Sequence, residues 1–117
     1  MSGLAYGLVG GGNQGAAKFW VKIDGSDGAI LGDKYNVTSV SRDGAGDYTV
    51  TIATDFDSVH WVAMANARTA GAGRDTRVET MATGTIRVLV SAASAGEDAT
   101  YVCVAGFGEQ YWRQATE

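Results

Sequence analysis

Six residues near the start, Gly10-Gly11-Gly12-Asn13-Gln14-Gly15, fit the G-x-G-x-x-G spacing and follow the apolar stretch Leu4 to Val9. A turn of that kind lets a dinucleotide pyrophosphate approach a helix N-terminus closely. The chemistry needs a crossover helix after the last glycine. The residues that follow, Phe19-Trp20-Val21-Lys22-Ile23, alternate like a strand, and Gly25 stops them. The expectation is therefore a glycine-rich arm with no nucleotide cofactor, so that NAD, FAD and ATP do not bind.

His60 has Ser58 and Asp57 close by in sequence. Groups this near along one chain rarely converge on an imidazole as the members of a triad do. Val62 and Met64 share its side of the strand pattern, so His60 is expected to pack in or beside a sheet. Asp24, Asp27, Asp55 and Asp57 offer oxygen ligands, but they lack the D-x-[DN]-x-[DN]-G spacing with a distant glutamate that calcium loops use. Their expected work is turn geometry. Cys103 stands between Val102 and Val104 and reads as a small buried core residue. A catalytic thiol would want His60 beside it, and nothing in the spacing brings the two together.

Arg74, Arg77 and Arg87 could make a basic patch, yet Asp75 and Glu79 lie among them, which favours a solvated mixed face. Asn36-Val37-Thr38 matches the glycosylation sequon inside a β-like run. Tyr111-Trp112 follows the last strand pattern and needs burial somewhere. The pair either folds back on its own domain or anchors the tail on a neighbouring subunit. No catalytic, cofactor-binding or metal-binding residue is expected; Tyr111 and Trp112 are the expected partner-docking residues.

The elements that must position these residues are strands. Phe19, Val21 and Ile23 alternate with Trp20 and Lys22; Lys34 to Val40 is a second run. Arg42-Asp43-Gly44-Ala45-Gly46-Asp47 joins it to a third as a long-loop hairpin. In that third run Tyr48, Val50 and Ile52 point one way, and Thr49, Thr51 and Ala53 the other. Val59 to Ala67 places Val59, Trp61 and Ala63 on one face and His60, Val62 and Met64 on the other. Arg77 to Met81 alternates. Ile86, Val88 and Val90 share a face, and Thr100 to Phe107 closes the series. Sustained helical periodicity is missing, and the only helical turn suggested is near Gly15-Ala16-Ala17. About seven short strands with Gly/Asp/Ser loops predict an all-β fold, an antiparallel sandwich or small barrel. Flexible N- and C-terminal arms are expected at residues 1–16 and 109–117, flanking a β domain at 17–108 whose core does not depend on them.

Composition narrows the function classes. The chain has 117 residues, 45% hydrophobic and 19% charged, which suits one globular domain. Its net charge of −4 argues against nucleic acid and against anionic lipid as partners. A single cysteine excludes an internal disulfide, and a single histidine excludes a multi-histidine metal site. No apolar run approaches the ~20 residues of a membrane helix. The apolar start lacks the basic n-region of a secretory signal, so synthesis in a cytoplasm is expected.

Three segments together resemble a known module. Ala17-Lys18-Phe19-Trp20-Val21-Lys22-Ile23-Asp24-Gly25, Tyr35-Asn36-Val37-Thr38-Ser39-Val40 and Asp43-Gly44-Ala45-Gly46-Asp47-Tyr48-Thr49-Val50 are similar to a β module of tailed-bacteriophage tail fibres. Thr85-Ile86-Arg87-Val88 and Tyr101-Val102-Cys103-Val104-Ala105-Gly106-Phe107-Gly108 look like its late strands. The Gly-Asp-Tyr-Thr-Val hairpin is the most specific piece. The resemblance implies a non-enzymatic structural protein on the surface of a phage virion, made in the host bacterial cytoplasm and commonly a homotrimer. Its implied partners are copies of itself and other virion proteins such as the major capsid or tail proteins. With no shaft or coiled coil in the sequence, the expected role is capsid decoration, a cement protein that clamps capsomers. A tail-fibre or fibre-tip component binding a host receptor or glycan is the alternative, and an exposed Trp20 or Trp61 beside a loop groove would support it.

Overall fold

The computed structural model of the chain describes residues 15–69, 74–92 and 95–110. Nine strands are described in them: β1 (Phe19–Asp24), β2 (Ile30–Tyr35), β3 (Val37–Gly44), β4 (Asp47–Ile52), β5 (Val62–Arg68), β6 (Asp75–Met81), β7 (Thr85–Ala92), β8 (Ala95–Gly96) and β9 (Tyr101–Phe107). One sheet runs β2-β1-β9-β5; the other runs β3-β4-β7-β6, with the short β8 beside β7. Every pairing is antiparallel. The molecule is an all-β sandwich, as the strand patterns indicated. The turn at Gly15-Ala16-Ala17 does not become a helix.

Period-2 alternation builds the core. β1 contributes Phe19, Val21 and Ile23, β4 Tyr48, Val50 and Ile52, β7 Ile86, Val88 and Val90, and β9 Val102 and Val104, none more than 3% exposed. Full burial of such side chains stabilises by roughly 1.5–3 kcal/mol each, before the entropy of ordering them is counted. Opposite β4's core residues, Thr49 and Thr51 are half-buried and Ala53 is exposed, so the second sheet has a wet side. β5 turns only Ala63, Ala65 and Ala67 toward this core.

Gly106 of β9 leaves room for an aromatic cluster. A Cβ there would collide with the rings of Phe19 and Trp61. Trp61 stacks on Phe56 at 4.3 Å and meets Phe19 edge-on at 5.7 Å. The indole N–H donates to the Ala82 carbonyl at 2.9 Å, which satisfies its polar atom.

The structure departs from the sequence reading in four places. The run Lys34 to Val40 is two strands in different sheets, broken at Asn36, whose φ of 58° is left-handed. Asparagine tolerates that conformation better than most residues. Its amide donates to the Lys18 carbonyl at 2.9 Å and accepts from the Thr54 N–H at 3.0 Å, pinning the corner to both neighbours. Secondly, β5 begins at Val62, so Val59 is exposed in the preceding loop. His60 is exposed there as well and does not pack in the sheet, because the chain turns Trp61 inward and leaves residues 57–60 outside. Thirdly, Cys103 is half-buried on the outward side of β9, since its neighbours Val102 and Val104 occupy the inward side. Lastly, nine strands replace about seven: Ile30-Leu31-Gly32-Asp33 carries no alternation, and β8 is only two residues long.

At the end of the domain, Gln110 is buried and donates to the Thr54 carbonyl at 2.7 Å. The Glu109 carbonyl accepts the Asp57 N–H at 2.8 Å. Both residues belong to the stretch read as tail.

Candidate functional site

Most sequence-derived candidates do local work or lie elsewhere. Gly10 to Gln14, Tyr111 and Trp112 lie outside the described residues. Ser58 accepts the backbone N–H of His60 at 3.1 Å, which is loop closure. Asp24 accepts from the Ser26 N–H and hydroxyl at 2.8 and 2.7 Å, and Asp27 from the Ala29 N–H at 2.9 Å. Asp55 takes a long bond from the Thr83 hydroxyl, 3.5 Å. Among the described residues no group of three or more His, Cys, Asp or Glu could hold a metal ion. Arg74, Arg77 and Arg87 pair with Glu97, Glu79 and Asp47 at 3.1, 3.2 and 2.8 Å; of the two interleaved acids only Glu79 takes part in these pairs, and the Arg74 side chain is mostly buried.

The Gly46-Asp47-Tyr48 hairpin is a mechanical joint. Gly46 has φ +67° and sits against the Val90 carbonyl and Glu97 backbone, where no Cβ fits. The Asp98 carboxylate gathers donors from the whole hairpin: Arg42 through two nitrogens, the Gly46 N–H at 2.8 Å and the Tyr48 hydroxyl at 3.2 Å. Partial burial works against its ionisation, but the Arg42 guanidinium and the Gly46 N–H outweigh that and hold its pKa below the usual carboxylate range. The Tyr48 hydroxyl also donates to the Gly25 carbonyl at 2.6 Å. Burial, then the Asp98 charge, push its pKa up to about 12. Asp47 and Arg87 form two parallel bonds at 2.9 and 2.8 Å between neighbouring strands. Each polar group is occupied by a fixed intramolecular partner, so the joint holds the β3–β4 hairpin onto residues 97–100.

The surface that stands out is the outer face of the β2-β1-β9-β5 sheet. Register aligns Tyr35, Trp20, Ala105 and Met64 in one row across the four strands. Val62 and Phe107 form the adjoining row. Trp20 is 43% exposed, Tyr35 52%, Val62 62% and Met64 63%. The Trp20 and Tyr35 rings stack at 6.5 Å and 28°. Beyond the apolar rows, Lys22 and Asn66 flank Cys103, and Arg68 faces Tyr101. The Lys22 ammonium lies 4.0 Å from the Tyr101 ring centre and the Arg68 guanidinium 5.9 Å. An open groove of about 620 Å³ is lined from both sheets, by Trp20, Lys22, Met64 and Cys103 with the inward-facing Ala65 and Val104 of the first, and by Thr76, Arg77 and Val78 of β6 in the second.

The two outer faces contrast. On the second sheet, Arg87, Asp47, Arg77 and Glu79 pair with one another. Among the described residues no ion pair includes a residue of β1, β2, β5 or β9. A contiguous apolar patch rimmed by polar groups is the usual mark of a binding surface. Alternation set Trp20 opposite Phe19, Val21 and Ile23, and Val62 and Met64 opposite Trp61 and Ala63, without saying which side of each strand is buried. It was the pairing of β1 with β9, more than seventy residues apart in sequence, that placed them side by side.

No protein family, no curated protein and no solved structure matches the chain.

Proposed function

We propose that this chain is a non-enzymatic structural protein of a tailed-phage virion, a homotrimeric surface module that acts as a capsid decoration protein. The observation that carries the self-assembly part is the exposed row Tyr35, Trp20, Ala105 and Met64 with Val62 beside it. Leaving two stacked aromatics in water on a small domain is costly, and burying them against another copy recovers that energy. The phage part rests on the resemblance of residues 17–108. Its most specific segment, Gly46-Asp47-Tyr48, is spent on a joint that stiffens the sandwich, which suits a load-bearing module better than a reactive one.

A second reading has its own observation. Trp20 is exposed beside the open groove, with the Asn66 amide and the Lys22 ammonium nearby. Indole faces stack on the C–H faces of sugars, so a fibre-tip component that binds a host glycan also fits this surface. Electron microscopy of purified phage particles, labelled with antibody against this chain, separates the readings. Label spread over the capsid supports decoration, and label at the tail end supports the fibre-tip reading. Particles that carry none of the protein contradict both.

A further inference from the structure

Side-chain size gives the groove a floor and two walls. β9 runs between β1 and β5, and its outward residues Cys103 and Ala105 are small. Register sets Trp20 and Met64 on either side of Ala105, and Lys22 and Asn66 on either side of Cys103. Four larger side chains thus border a low strip. Tyr101 closes one end, with the Lys22 ammonium 4.0 Å from its ring centre. Thr76 and Arg77 of β6 add to the polar lining.

These polar groups supply donors, and most lack a partner. Among the described residues the Lys22 ammonium, the Asn66 amide and the Thr76 hydroxyl bond to no protein group, and Lys22 meets only the Tyr101 ring. No described carboxylate lines the groove. The acids on the same strands are placed elsewhere or engaged. Asp24 accepts from the Ser26 N–H and hydroxyl, Glu79 pairs with Arg77 at 3.2 Å, and Asp75 lines the cleft over the second sheet. In a chain with nine bases and thirteen acids, an acid-free groove with an unpaired ammonium favours an anionic occupant.

We propose that the groove binds an acidic saccharide of the uronate class. The ring face lies on the Trp20 indole, Lys22 holds the carboxylate, and Asn66 and Thr76 donate to sugar oxygens. This rests on the glycan reading above and names its chemical class. Trp20 and Lys22 stand on the same side of β1, about 7 Å apart along the strand, so a ring stacked on the indole brings its exocyclic carboxylate toward the ammonium. Lys22 and Asn66 are two strand spacings apart, about 9.6 Å, and a sugar ring lies between them over Cys103. An ammonium–carboxylate bond is charge-assisted and stronger than a neutral one. The groove is open, so its occupant keeps one side in water. That suits a hydroxylated chain better than an apolar metabolite, whose pocket would enclose most of its surface.

Cys103 is the chain's single thiol and lies on the groove floor, so its alkylation by iodoacetamide reports occupancy. The rate is measured in the full chain with oligogalacturonate, oligoguluronate and a hyaluronan oligosaccharide. A neutral maltooligosaccharide controls for sugar without charge, and polyglutamate for charge without sugar. Lys22→Met and Trp20→Ala, both at exposed positions, are compared with their own unliganded rates, with circular dichroism as the check on folding. The expected result is several-fold slower alkylation with at least one oligouronate and none with either control. Lys22→Met should raise the half-saturating concentration roughly tenfold, and Trp20→Ala should remove the protection. Equal protection by the maltooligosaccharide, or a Lys22→Met chain that binds uronates unchanged, overturns the acidic class and leaves the glycan reading standing. Equal protection by polyglutamate makes the groove a site for polyanions at large and overturns the proposal. Protection by no saccharide overturns both the proposal and the glycan reading. So does a thiol that resists the reagent in the native chain alone and reacts only in urea, because the face is then already covered.

Discussion

Asp98 and Tyr48 show how far a single side chain reaches in this fold. Asp98 has a depressed pKa in the folded chain, so its stabilising contribution is present above its unfolded value, near 3.9, and is lost as pH falls through the folded value. Tyr48 has a raised one, so its contribution is present below the unfolded value, near 10, and is lost as pH rises toward about 12. Thermal melts across pH should therefore fall off at both extremes, and Asp98→Asn should flatten the acid limb. Tyr48→Phe should cost about 1–2 kcal/mol, because the buried Gly25 carbonyl loses its donor, and should flatten the alkaline limb. Urea unfolding of each variant measures this; a Tyr48→Phe chain as stable as wild type would remove the hydroxyl from the account. Tyr48's inward direction was legible from its alternation with Thr49. Its partner was not, because Asp98 lies fifty residues away in a loop with no periodic signal.

At the scale of elements, strands with clean alternation were read correctly, and the errors cluster where one residue redirects the chain. β4 and β7 show every second residue buried, and their patterns sufficed. Between β2 and β3, Asn36 adopts a left-handed conformation that carries the chain from one sheet to the other. Composition alone cannot distinguish that kink from a continuing strand. Asn36→Ala should lose both side-chain bonds and favour the wrong backbone region, costing about 2 kcal/mol. Gly46→Ala should cost more than about 2 kcal/mol, since it combines a positive φ with collisions against two backbone segments. Denaturant midpoints of the two variants check both. A neutral Gly46→Ala would mean that the hairpin does not dock against Val90 and Glu97 as described. Cys103 carries the same lesson. Its alternation with buried valines already put it on the outer side, and cysteine's usual preference for burial argued the other way.

For the whole molecule, the sequence supplied the parts of the exposed face, and the sheet order assembled them. Nothing in the spacing of Trp20, Tyr35, Met64 and Ala105 places them in one row; that follows only from β1 lying between β2 and β9, with β5 beyond. On the proposed reading, copies associate through this row. Sedimentation velocity of the wild type and of Trp20→Glu, over a range of concentrations, tests it most directly. Trp20 contributes little to the core, so the variant should keep its fold and its melting behaviour as a monomer. Buried aromatics anchor most interfaces, and their loss commonly costs 2 kcal/mol or more, roughly thirtyfold in affinity. The expected result is a wild-type species of three times the 12.1 kDa chain mass at micromolar concentration and a Trp20→Glu chain that sediments as a monomer. A wild type that sediments as a monomer throughout, or a Trp20→Glu chain that remains trimeric, would contradict it.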